Sequence, residues 1–133
     1  MTWITVATAH EVEWHKRAAL RAATTERVEN LLDRFLTDLA ALDAEEQPRF
    51  DYLEPGAMAA LRSDPDTFHL VGRVAGTGAG QPACTTTTYW PDEEDAPVDV
   101  ELEVKARPGR RHRVAVTVDP VLDRISDLEL AKA

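Results

Sequence analysis

Apolar residues recur at Val28, Leu31, Leu32, Phe35, Leu36, Leu39 and Leu42, the spacing that lays one oily stripe along a helix. Glu29, Asp33, Arg34, Asp38 and Asp43 fill the opposite side, so one face meets water and the other requires a cover. Nothing before Val28 is apolar enough to supply it, which leaves the alternating segments of the carboxyl half. Upstream, Trp3, Ile4 and Val6 read as a short strand or docked arm, and Thr8-Ala9-His10-Glu11 reads as a capping box. Lys16 to Ala23 are nearly all strong helix formers. Run unbroken to Glu46, such a helix would span ~55 Å at ~1.5 Å per residue, more than a domain of this size covers. A break is therefore expected at the β-branched pair Thr24-Thr25, dividing an arm and helix (1–24) from one domain (25–133).

Pro48 ends the helical region. Phe50, Tyr52 and Leu53 lead to Glu54-Pro55-Gly56, where Pro55 suits the first turn of a short helix through Arg62. Ser63-Asp64-Pro65-Asp66 reads as a turn. From Thr67 to Ala75 the pattern reads as period two, with Phe68, Leu70 and Val74 against His69, Val71 and Arg73, and predicts a strand. Gly76, Gly78 and Gly80 form a connection, Ala83–Trp90 a threonine-rich strand, and 91–97 an acidic loop. Val98, Val100, Leu102, Val104 and Ala106 alternate with Asp99, Glu101, Glu103, Lys105 and Arg107. Val114, Val116 and Val118 must share a face with them, so paired positions must sum to an even number. A two-residue loop would pair Arg107 with Arg110, an odd sum. The turn at Pro108-Gly109 thus requires a three- or five-residue loop, or a bulge that restores register. The last strand, Arg124–Leu130, slips phase at Ser126-Asp127, which predicts a second bulge. Helices followed by about five short strands predict an α+β fold, with a mostly antiparallel, cone-like sheet curved over the helices.

Two stretches carry a resemblance. Val28-Glu29-Asn30-Leu31-Leu32-Asp33-Arg34-Phe35-Leu36 resembles the first helix of the NTF2-like superfamily, which includes SnoaL-like cyclases and ketosteroid isomerases. Val114-Ala115-Val116-Thr117-Val118-Asp119, followed by Asp123-Arg124-Ile125-Ser126-Asp127-Leu128-Glu129-Leu130, resembles its closing strands. The likeness spans roughly Thr25 to Leu130 and rests on order and pattern. It implies a pocket between helix and concave sheet. The isomerases' acid–base set does not map onto this chain, so the likeness leaves activity open.

Length and charge narrow the classes. The 133 residues make one domain, with 44% hydrophobic and 29% charged residues, as in ordinary soluble proteins. A net charge of −9 argues against nucleic acid and anionic membrane as partners. Cys84 is the one cysteine, so the chain forms no internal disulfide. With no signal-peptide pattern and no membrane-length apolar run, a reducing cytoplasm is the expected location.

Several motifs fail on spacing. His10 and His15 are five apart, about 140° round a helix at ~100° per residue, and not the H-E-x-x-H pair of a zinc protease. The glycines at 76, 78 and 80 meet Gln81 where a dinucleotide fingerprint needs glycine. Asp92-Glu93-Glu94-Asp95 lacks the spaced oxygens and central glycine of a calcium loop. Neither metal nor cofactor is expected. Arg107, Arg110, Arg111, His112 and Arg113 cluster at a hairpin tip, either to hold an anion or to balance Glu101 and Glu103 across the ladder. His69, Tyr89 and His112 are the strand or hairpin residues able to move a proton, and are the candidate catalytic groups. Asp51, Tyr52, Arg73 and Trp90 are the candidate ligand contacts. Two functions follow. The first is a homodimer, paired through the sheet's outer face, whose cone binds a small organic molecule and does cofactor-free acid–base chemistry such as cyclisation, isomerisation or dehydration. The second is a non-catalytic acidic interaction module (a chaperone, immunity protein or assembly partner) that meets a basic partner through the sheet surface and the 92–95 loop.

Overall fold

The computed structural model describes residues 9–76, 84–93, 95–107 and 110–132, with the side chains at 9–20, 76, 106–107, 110 and 132 outside that description. The Trp3 arm, the Thr8 capping box, the side chains of His10 and His15, Gly78, Gly80 and the Pro108-Gly109 turn all lie outside the described residues. Three helices, α1 (Ala9–Ala40), α2 (Pro55–Ser63) and α3 (Pro65–Gly76), precede four strands: β1 (Cys84–Tyr89), β2 (Val98–Arg107), β3 (Arg110–Asp119) and β4 (Arg124–Lys132). The strands form one antiparallel sheet in the order β1-β2-β3-β4. The α+β segregation is as expected. Among the described residues the sheet is open and has four strands; the expected five strands and cone are not seen.

The missing strand is α3. Thr67–Ala75 was expected to be extended and is helical, because Asp64 and Pro65 start a helix and not merely a turn. Asp64 Oδ1 accepts from the Thr67 amide at 3.2 Å, Oδ2 accepts from the Thr67 hydroxyl at 2.8 Å, and the Asp64 carbonyl accepts from the Phe68 amide at 3.3 Å. Pro65, with no amide to satisfy, follows in the first turn. Phe68, Val71 and Gly72 then fall on one buried face, the i, i+3, i+4 pattern, and Leu70 is exposed.

The expected break in α1 is also absent. The helix passes through Thr24-Thr25 for 32 residues, ~48 Å at ~1.5 Å each. Its threonines are accommodated by back-bonding: Thr25 Oγ1 donates to the Arg21 carbonyl at 2.7 Å, and Thr37 Oγ1 to that of Asp33 at 2.8 Å.

Both bulges are present. Register shifts between Lys105 and Arg107, so the short turn keeps Val98, Val100 and Leu102 opposite Val118, Val116 and Val114. It shifts again opposite Thr117-Val118, where Ser126 is the extra residue and its hydroxyl donates to the Thr117 carbonyl at 3.2 Å. The inner face of β2, β3 and β4 is accordingly aliphatic apart from His112. Val98, Val100, Leu102, Val104, Val114, Val116, Val118, Ile125 and Leu128 are buried with Val28, Leu31, Leu32, Phe35 and Leu39 of α1. The outer face is polar. Glu101 and Glu103 pair with Arg113 at 3.7 and 3.9 Å, and Glu103 pairs with Arg111 at 3.3 Å. The arginines at 111 and 113 thus balance acids across the ladder, and a homodimer through this face would join polar surfaces.

The α1–α2 connection closes the β4 side. Leu53 forms a parallel bridge to Ile125, with Glu54 N donating to Ile125 O and Ile125 N to Tyr52 O, both at 2.9 Å. Phe50 enters this connection at φ 51°, in the left-handed region, its ring edge-on to Phe35 at 6.4 Å.

Candidate binding cleft

The loop after β1 turns Trp90 back against α1. At one end of that contact a cavity of about 340 Å³ is lined by Arg21, Thr24, Trp90, Pro91, Asp92, Glu93 and Val98. Next to it, a cavity of about 270 Å³ lies between α1 and the inner face of β1, with Thr86, Thr88, Trp90 and Leu102 facing Val28, Glu29, Leu32, Asp33 and Leu36. Trp90 lines both, so the two read as one cleft floored by its ring. The Arg21 guanidinium carbon stands 6.0 Å from the ring centroid, the outer limit of a cation–π contact. Glu29, Asp33, Asp92 and Glu93 are exposed around the cleft and give it a negative rim.

Of the expected site residues, only Trp90 lines this cleft. Tyr89 is more than half exposed on the outer face, its hydroxyl 3.4 Å from Glu101 Oε2. His112 pairs with Val104 and faces inward with it, so Tyr89 and His112 occupy opposite sides of the sheet. His69 sits on α3, with Nε2 3.3 Å from Asp43 Oδ1. Nδ1 of His112 is buried without a hydrogen-bond partner among the described residues. The three candidate catalytic groups are therefore spread over a helix and both sheet faces.

Asp51 and Tyr52 belong to a different cluster, one that fastens the α1–α2 connection to α1. The Tyr52 hydroxyl donates to Asp38 Oδ2 at 2.7 Å, and the Arg34 guanidinium stacks 4.6 Å from its ring while pairing with Asp51 at 3.1 Å. Burial and then the Asp38 carboxylate raise the Tyr52 pKa far above its usual range, so its proton is held and not exchanged. Arg73 is exposed on α3. Burial also pushes the Cys84 thiol up, which makes it a poor nucleophile. Among the described residues, no three His, Cys, Asp or Glu side chains converge as metal ligands, and no helix is long and apolar enough to cross a membrane.

The cleft was legible only in part. Trp90 and the acidic loop stand out in the sequence, but Arg21 reaches them only because α1 is unbroken. Fold and cleft define an α+β meander with an acid-rimmed aromatic groove. No protein-family model, curated protein or solved structure matches the chain.

Proposed function

We propose that this chain is a non-catalytic NTF2-like binding module that receives a positively charged partner in the Trp90 cleft. The observation that carries the reading is a contrast between two surfaces. The inner face of β2, β3 and β4, where an enzyme of this build would place its acid and base, is filled by aliphatic side chains apart from His112, and no described polar side chain is fully buried. The open space lies instead at the sheet's β1 side, where an indole is rimmed by Glu29, Asp33, Asp92 and Glu93. An aromatic face among carboxylates suits an ammonium or guanidinium, through cation–π attraction and charge together.

The second reading, a cofactor-free acid–base enzyme acting on a small organic molecule, is favoured by one observation. Among the described residues, His112 Nδ1 is buried without a hydrogen-bond partner and His69 Nε2 is buried with only the ion-pair contact to Asp43, a condition that native proteins reserve for few groups. One experiment separates the two. In ¹⁵N- and ¹³C-resolved spectra of the full chain, a capped tetra-arginine peptide is expected to shift the Trp90 indole, assigned by its loss in Trp90→Phe. A tetra-glutamate peptide is expected to leave that signal in place. Silence toward tetra-arginine, with cyclohexenone moving the His69 and His112 ring signals, would reverse the ranking.

A further inference from the structure

The two edges of the sheet are protected unequally. On β4 the Ser126 bulge breaks the ladder, Asp127 and Glu129 add charge, and the Leu53 bridge covers one end. These are the devices by which proteins keep an edge from recruiting another strand. Among the described residues, β1 has none of them. It reads Cys84-Thr85-Thr86-Thr87-Thr88-Tyr89, without charge, proline or bulge, and keeps an unshifted register with β2 over its whole length. Four consecutive threonines favour extended backbone. Among the described residues, no strand pairs with its outer side.

We propose, resting on the cleft reading above, that β1 is a docking edge that takes an extended basic peptide as a fifth strand. Backbone groups of the peptide would complete the β1 ladder, as in other strand-addition complexes. Its inward side chains would then lie under the flank of α1 that borders the cleft. That flank presents Glu29 and Asp33, both exposed, facing Thr86 and Thr88 across the cavity. Their separation along the helix, ~6 Å for four residues, is close to the ~6.8 Å between alternate residues of a strand. Lysine or arginine at two successive alternate positions therefore meets Glu29 and Asp33. Charge also selects against a second copy of the chain, because each copy carries −9 and would bring the same acidic rim.

The test uses the full chain and a fluorescein-labelled, capped octapeptide of alternating valine and lysine, followed by anisotropy. Binding is expected, with a loss of about tenfold or more when glutamate replaces lysine or when Glu29→Lys and Asp33→Lys are combined. Two further peptides carry N-methyl groups on the lysines only or on the valines only. In a strand, alternate amides point to opposite edges, so one set should abolish binding and the other leave it nearly unchanged. Equal binding by both methylated peptides overturns strand addition. If Trp90→Ala still abolishes binding in that case, the cleft reading survives on its own. If Trp90→Ala has no effect, the cleft reading fails as well. Sedimentation of the free chain should show a monomer, and a dimer that the peptide does not dissociate overturns the proposal in favour of β1 pairing between copies.

Discussion

Gly72 is where α3 comes closest to α1. A Cβ there would stand 2.5 Å from the Ala40 nitrogen and 2.6 and 2.7 Å from Leu39 Cβ and its carbonyl carbon. Two of these atoms are backbone and cannot swing aside. Gly72→Ala should therefore separate the helices and cost about 1–3 kcal/mol, although alanine is the better helix former. The measurement is urea unfolding: the midpoint should fall with the slope unchanged, and an unaltered midpoint would mean the helices do not pack this closely. Tyr52 supplies the pH-dependent counterpart. Below its ordinary value of 10.0 both folded and unfolded chains hold the phenolic proton. Above it the unfolded chain releases the proton while burial and Asp38 keep it on the folded one. Stability should thus be intact below pH 10 and fall as pH rises beyond it. Tyr52→Phe should cost about 1–2 kcal/mol at neutral pH by removing the hydroxyl's bond to Asp38, yet lose less between pH 9 and 11 than the parent chain.

At the scale of elements, the decisive residue is Asp64. Its carboxylate receives the Thr67 amide and hydroxyl and so starts α3. Asp64→Ala should lower stability by about 0.5–2 kcal/mol and raise amide exchange in the first turn of α3 ahead of the sheet. Loss confined to another element would show that packing against α1, and not the cap, holds the helix. This element is also where sequence reading failed. Asp-Pro is both a turn signal and a helix start, and in Phe68-His69-Leu70-Val71 the adjacent pair Leu70-Val71 breaks alternation, which favours the helical reading. The strands were easier. Parity among Val98 to Val118 left a longer loop or a bulge at the β2–β3 turn, of which the bulge is present, and the phase slip at Ser126-Asp127 marked the second bulge. The uninterrupted α1 was less accessible, since a threonine pair looks like a cap until the Thr25 hydroxyl is seen folded back on the helix. Trp90 was nameable in advance as an aromatic beside an acidic loop. Its partner Arg21, 69 positions away, was not, because only the continuous helix brings the two together.

For the whole molecule, the asymmetry of charge and edges decides what the cleft can receive. On the outer sheet face Glu101 and Glu103 are paired with Arg111 and Arg113, whereas the β1 side presents carboxylates around one indole. Within that side Arg21 is the chain's own cation, held over Trp90. If a partner's cation uses the same ring face, Arg21 competes with it. Arg21→Gln should then tighten the alternating valine–lysine peptide about two- to fivefold, since an exposed cation–π contact contributes about 0.5–1 kcal/mol and one repelling charge is lost. The gain should shrink as salt rises from 50 to 300 mM, because the charge part of it is screened over about a Debye length of ~10 Å at 0.1 M while the vacated ring face is not. A weaker complex in Arg21→Gln would give the opposite role: Arg21 would then build the cleft by holding Trp90 in place, and the partner's cation would bind at the Glu29–Asp33 flank alone.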